Sequence, residues 1–378
     1  MPEPIELTVM CWDHPRCTDP TRAAAEAYRA VAPHVRVRQR VRPLAAFNDQ
    51  PPWELDGDVD LVYVDHPMVG AIAERRALLP LTDLLSPLEL TRLTAHAVPV
   101  ALESYRWDDE LWAVPVDVAT HVSAAHEQRL AALGATRPRT WVEVLELAQA
   151  HPGAVDLAST GADLLCALIS LTADAAGTRT PREPVAAAVD FLVRLVDTIG
   201  RDRLGQAPPA LLDELADPTA RLAYVPWLFG YALAHRHPVS LGDVPGRGPR
   251  ATGAILGGAG LGVMAGSAYP REAAAFAAWL ATPEVERDLL VPAGGQPGGR
   301  HLWPLEHVTA SSGTADFFEA TAACLATAST RPRDPWWPGF HREAGEAVLA
   351  ELRAGADADR VAALLDDLLA RHRAEVAS

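Results

Sequence analysis

The chain has 378 residues, with 33 basic against 49 acidic side chains, a formal net charge of −16 and a pI near 5.2. That balance argues against nucleic acid or an anionic membrane surface as the main partner, and the length predicts two lobes rather than one domain. All 33 basic residues are Arg, which excludes Schiff-base chemistry, a P-loop lysine and a lysine general base.

The run "IELTVM" (5–10) predicts a buried strand. "DPTRAAAEAYRAVAP" (19–33) predicts an amphipathic helix with Asp19 as N-cap and Pro20 at its first position. "VRVRQRVR" (35–42) alternates and predicts a strand with one wet face, whereas the apolar "VDLVYV" (59–64) predicts one covered on both faces. Two βα units in succession predict an open, mostly parallel sheet. Ligands bind such sheets beyond the carboxyl ends of the strands.

Two of these strands end in the same triplet, Asp13-His14-Pro15 and Asp65-His66-Pro67. Both are expected to face one crevice. Further along, Asp108-Asp109 predicts a tight turn between short strands, and "AVPVDVATHV" (113–122) has no helical period and predicts an extended crossing between lobes. Residues 138–236 read as mostly helical, opening on a capping box of Thr140 and Glu143. "RLAYVPWLFGYALAHR" (221–236) predicts a strand, a turn and a helix, with Trp227 and Tyr231 near the turn. The glycine-rich "ATGAILGGAGLGVMAG" (251–266) lacks GxGxxG and predicts a second crossing strand. "SAYPREAAAFAAWLATPEVERDLL" (267–290) predicts a helix pair, and the chain from about 314 onward reads as helical, broken by "RPRDPWWPGF" (331–340).

Four cysteines at 11, 17, 166 and 324 form no CxxC, and no disulfide framework is expected. The opening "MPEPIELTVM" has no leader pattern, and no apolar run reaches the roughly 18 residues of a membrane span. A soluble chain is expected, cytoplasmic as it stands or extracytoplasmic after loss of a leader.

Taken together, "LTVMCWDHPR", "DVDLVYVDHPMVGAIAERRALLPLTDLL", "YRWDDELWAVPVDVAT", "PRTWVEVLELA", "LGGAGLGVMAGSAYPREAAAFAAWLATPEVE" and "GGQPG" follow one another in an order that resembles the family 1 extracellular solute-binding proteins, the sugar-binding type serving ABC importers. The resemblance runs over nearly the whole chain. It implies an α/β bilobal fold of the periplasmic-binding-protein type II, with lobe 1 from residues 1–116 and 256–300 and lobe 2 from 117–255 and 301–378. It also implies a monomer that closes on a small polar, carbohydrate-like ligand, docks on a membrane permease, and needs no cofactor, metal or nucleic acid.

Sugar sites combine aromatic walls with a few placed polar groups. The candidate ligand contacts are therefore Trp12, Asp13, His14, Asp65, His66, Asp117, Trp227, Tyr231, Gly257, Gly258, Gly295 and Gln296. Other roles stay open for each. The aspartates can cap turns, the histidines can be satisfied by carbonyls, Trp227 can be core, and the glycines can serve backbone geometry. Asp13, His14, Asp65 and His66 would also suit a metal ion. A cytoplasmic enzyme on the same scaffold is the alternative reading, with Cys11, Asp13, His14, Asp65 and His66 as catalytic candidates.

Overall fold

The computed structural model describes residues 4–55, 58–174, 183–246, 253–305 and 316–376. Two compact units emerge. The first comprises Met1–Ala119, Gly257–Pro304 and Thr330–Pro338; the second comprises Thr120–Leu256, Leu305–Ser329 and Gly339–Ser378. Residues 330–338 thus return to the first unit, whereas the sequence reading placed everything after 300 in the second.

The first unit is built on a mixed sheet. Strand β1 (Ile5–Trp12) pairs in parallel with β2 (Val35–Arg42), Ile5 opposite Val35, and with β3 (Leu61–Val64), Val9 opposite Leu61. After β4 (Leu78–Leu79), the short strands β5 (Arg106–Trp107) and β6 (Glu110–Leu111) form a hairpin. Its turn residues Asp108 and Asp109 both have positive φ, 51° and 63°, the left-handed pair that a two-residue hairpin turn requires. The long strand β7 (Val114–His126) begins in this unit and ends in the other. The alternation of β2 reads directly as an edge strand with wet positions, and the unbroken apolar run of β3 as a fully covered one.

Helix α1 (Pro15–Val31) covers one face of this sheet. It starts earlier than Asp19: His14 is its N-cap and Pro15 its first residue, which leaves Pro20 inside the helix. The cost is one hydrogen bond, because Pro20 has no N–H for the carbonyl four residues back. Tyr28 anchors α1 against the helix Pro270–Leu280, its ring centroid 5.0 Å from Phe276 and 4.9 Å from Trp279.

In the second unit β7 continues antiparallel to β8 (Tyr224–Phe229), His121 opposite Phe229, and to β9 (Val239–Gly242), Ser123 opposite Gly242. The helix Trp141–Ala150 opens on the expected capping box, with Thr140 accepting from the Glu143 N–H. Strand β10 (Leu256–Met264) then runs back into the first unit, antiparallel to β3 and β4. The segment after Phe229 departs from expectation, since only a single 3-10 turn, Ala232–Ala234, replaces the helix.

Candidate functional site

The two Asp-His-Pro triplets do the same local job, in registers one residue apart. At the exit of β1, His14 caps α1, its Nδ1 accepting from the Arg16 N–H at 3.1 Å. At the exit of β3, Asp65 takes the capping position of the 3-10 turn His66–Met68, which leads into the helix Val69–Arg75. Pro15 thus occupies the first helical position and Pro67 the second, where the missing N–H is an orphan anyway. Asp13 is left exposed, with its N–H donating to the Arg42 carbonyl at 2.8 Å.

His66 is not available to a ligand. It is fully buried; its Nε2 accepts from the Arg331 N–H at 3.2 Å and its Nδ1 stands 3.4 Å from Asp65 Oδ1. Burial, and then the Arg331 charge, push its pKa down to about 4, so the ring is neutral at pH 7. Arg331 Nη2 also donates to Asp65 Oδ1 at 2.6 Å. Burial alone would raise the Asp65 carboxyl, but Arg331 and His66 outweigh it and hold the group well below the usual carboxylate range.

The returning segment Thr330–Pro338 thereby straps down the exit of β3. A second contact fixes it: the Gly70 N–H donates to the Arg333 carbonyl at 3.1 Å. A Cβ on Gly70 would fall 2.2 Å from that oxygen, so only glycine admits the strap. Arg333 completes the attachment through the carbonyls of Glu103 and Arg106, at 2.7 and 2.8 Å.

Asp117, early in β7, is equally committed. Arg16 grips it through two hydrogen bonds, one of them Nε to Oδ2 at 2.9 Å, and both residues are buried. Gln296 clips the backbone: its carbonyl accepts from the Val118 N–H at 2.7 Å and its side-chain amide donates to the Val118 carbonyl at 3.1 Å. Gly258, with φ of 106°, is where β10 meets the backbone of β7, and a Cβ there would lie 2.2 Å from the Asp117 carbonyl. Gly257 is buried beside it, and Gly295 leaves room for the Leu290 carbonyl and Pro20. Gly258 thereby serves the close approach of two main chains.

A narrow hollow of about 20 Å³, the room of one water molecule, is lined by Trp12, Arg16, Tyr63, Asp117, Gly295 and Gln296, among others. Trp12 is itself buried, packed at 4.9 Å on Phe47 and edge-on at 5.3 Å to Tyr63. Beneath it Tyr63 and Thr21 share a hydrogen bond of 2.8 Å.

In the second unit Trp227 is a core residue, wholly buried with its ring 5.5 Å from Trp141. Strand β8 places it on the face covered by the helix Trp141–Ala150. Tyr231 follows the end of β8 and is also mostly buried.

Among the catalytic candidates the one thiol, Cys11, is buried. None of the four cysteines is in a disulfide and all are buried; Cys11 has its thiol 3.9 Å from the Val9 carbonyl, and burial pushes the Cys17 thiol far up. Nor do Asp13, His14, Asp65 and His66 assemble as a metal site, because Asp65 and His66 are already held by Arg331. The residues that sequence reasoning missed are Arg16 and Arg331. The first directly follows the first triplet and the second opens the interruption at 331–340, but neither spacing reveals a partner 101 or 266 residues away.

Comparison with known proteins agrees with this architecture. Residues 54–298 match the family described as bacterial extracellular solute-binding protein. No curated protein matches the chain. Among solved structures it is similar to the GacH receptor of Streptomyces glaucescens, studied unliganded and with acarbose, at 18% identity and a TM-score of 0.78, with 98% of each chain covered. It is similar also to maltose-bound MalE3 of T. maritima, at 17% identity and a TM-score of 0.77, covering 96% of this chain and 99% of that one. An ABC transporter solute-binding protein of Agrobacterium radiobacter in complex with ribitol gives 17% identity and a TM-score of 0.76, with 98% of each chain covered. At these identities the likeness establishes the fold, mixed α/β and of the periplasmic-binding-protein type.

Proposed function

We propose, for a chain that belongs to the bacterial extracellular solute-binding proteins, that the solute is a neutral polyhydroxylated molecule, a sugar or polyol, delivered to the membrane permease of an ABC importer. The working compartment is then extracellular, and among the described residues no helix is long and apolar enough to cross a membrane.

The observation that carries the ligand class is the charge balance at the exit of β3 and the start of β7 in the first unit. Each buried carboxylate there, Asp65 and Asp117, already has its own guanidinium, from Arg331 and Arg16. An ionic ligand that engaged either buried group would displace its partner, at a cost of several kcal/mol. A neutral polyol needs only hydrogen-bonding groups and an apolar wall. Asp13 and His14, at the exit of β1, are the polar side chains of the triplets that retain solvent exposure. The ligands of the similar structures, acarbose, maltose and ribitol, are of this chemical class.

Calorimetric titration with such neutral sugars and polyols tests the reading. One-to-one binding is expected. Asp13→Ala should weaken it about tenfold, or about 1.4 kcal/mol, without moving the melting temperature. Failure of every neutral compound to bind, or an unchanged dissociation constant in Asp13→Ala, would refute it.

A further inference from the structure

Away from the strand exits, three side chains from distant parts of the first unit converge. His96 ends the helix Pro87–His96, Glu286 begins the π turn Glu286–Leu290, and His301 lies in the loop that follows Gly295 and Gln296. Glu286 is 1% exposed, and its Oε2 lies 2.7 Å from His96 Nε2 and 3.7 Å from His301 Nδ1. The two imidazoles stack with centroids 4.9 Å apart and planes 29° apart. The geometry points to a divalent transition-metal site here, of the zinc class, with His96, Glu286 and His301 as its protein ligands.

Several independent features support this. Two imidazole nitrogens face one buried carboxylate oxygen, at 2.7 and 3.7 Å. All three ligand atoms lie within 4.8 Å of one another, and among the described residues no other His, Cys, Asp and Glu group meets that test. In a tetrahedral zinc site with bonds of about 2.0–2.1 Å the ligand–ligand edges are roughly 3.3 Å. The two carboxylate edges, 2.7 and 3.7 Å, bracket that value. Rotation of the partly exposed His301 ring closes the third.

The surroundings fit as well. Gly299 keeps the cradle clear, because a Cβ there would sit 1.8 Å from Glu286 Oε2 and 2.6 Å from His96 Nε2. A π turn at this point, closed by the Val291 N–H donating to the Glu286 carbonyl at 2.9 Å, is a costly local geometry of the sort retained at functional sites. The neighbouring cation Arg287 is occupied by Asp288 at 2.8 Å. A mixed set of two nitrogens and one oxygen suits Zn²⁺ and leaves a fourth position for water on the exposed His301 side.

The ion acts as a clip. It joins the end of one helix, the π turn and the 295–304 loop, and through Gln296 that loop holds the main chain of β7 at Val118. The site lies outside the proposed solute contacts, so its test does not depend on the solute.

Chelator-treated protein is titrated with Zn²⁺ against a chromophoric competitor, and with Co²⁺ followed by its visible absorption. The wild type is expected to take one equivalent at micromolar or tighter affinity, with the intense bands of a tetrahedral Co²⁺ centre. His301→Ala should weaken binding at least tenfold and Glu286→Gln similarly. Zn²⁺ should raise the melting temperature of the wild type but not of His301→Ala. Because His301 is partly exposed, that variant should fold normally in chelator. No stoichiometric binding by the wild type, or undiminished binding in both variants, would overturn the assignment.

Discussion

Replacing His66 by Gln gives a sharp test of how the first unit is held together. His66 is fully buried beside Arg331, and its pKa falls from the ordinary 6.5 to about 4. A depressed histidine means that the unfolded chain binds a proton which the folded one refuses. Stability therefore rises with pH between about 4 and 6.5 and is lost as pH falls through that window. For these two values the loss between pH 7.5 and pH 4.5 is about 2.5 kcal/mol. Asp65 acts separately: its folded pKa is depressed, so its contribution is full above the unfolded carboxylate value of about 3.9 and fades only in stronger acid. Urea unfolding of wild type and His66→Gln at pH 7.5 and 4.5 isolates the histidine, because the other titrating groups cancel in the difference. The wild type should lose about 2.5 kcal/mol more than the variant over that interval. Equal losses would show that His66 is solvated and protonates freely, and the strap argument would fail with it.

Other perturbations probe the same construction. Arg331→Met should cost about 3–5 kcal/mol by stranding Asp65, and Asp65→Asn in that background should restore part of it in a denaturant melt. Gly70→Ala forces a Cβ to within 2.2 Å of the Arg333 carbonyl, so it should speed hydrogen exchange and proteolysis across residues 330–338. Trp12→Ala should lower stability by about 3–5 kcal/mol, since Trp12 is buried against Phe47 and Tyr63. A change in solute affinity with no fall in melting temperature would instead make Trp12 a solute contact alone.

Much of the fold was legible in the residues. β3, the Thr140–Glu143 capping box and the Asp108-Asp109 turn each follow from a local rule about burial, caps or left-handed backbone. The start of α1 lies five residues before the expected one because two proline-led starts compete. Pro15 wins since the strand ends immediately before it, and the interior Pro20 then forfeits only one hydrogen bond. The site was far less legible. Asp65 and His66 are polar residues at a strand exit and Asp117 lies in the crossing strand, as a ligand site would have them, but Arg331 and Arg16 consume them through contacts that leave no periodic trace. Trp227 reads equally as a stacking platform or as core, and only its contact with Trp141 decides for core.

The central claim is that this solute-binding chain takes a neutral, polyhydroxylated guest. Native mass spectrometry of the purified protein against an equimolar mixture of neutral sugars, polyols, amino acids and small anions tests it most directly. The account predicts a single bound neutral sugar or polyol per chain, at lower occupancy in Asp13→Ala. Selective capture of an amino acid or an anion, with the neutral compounds left free, would contradict it.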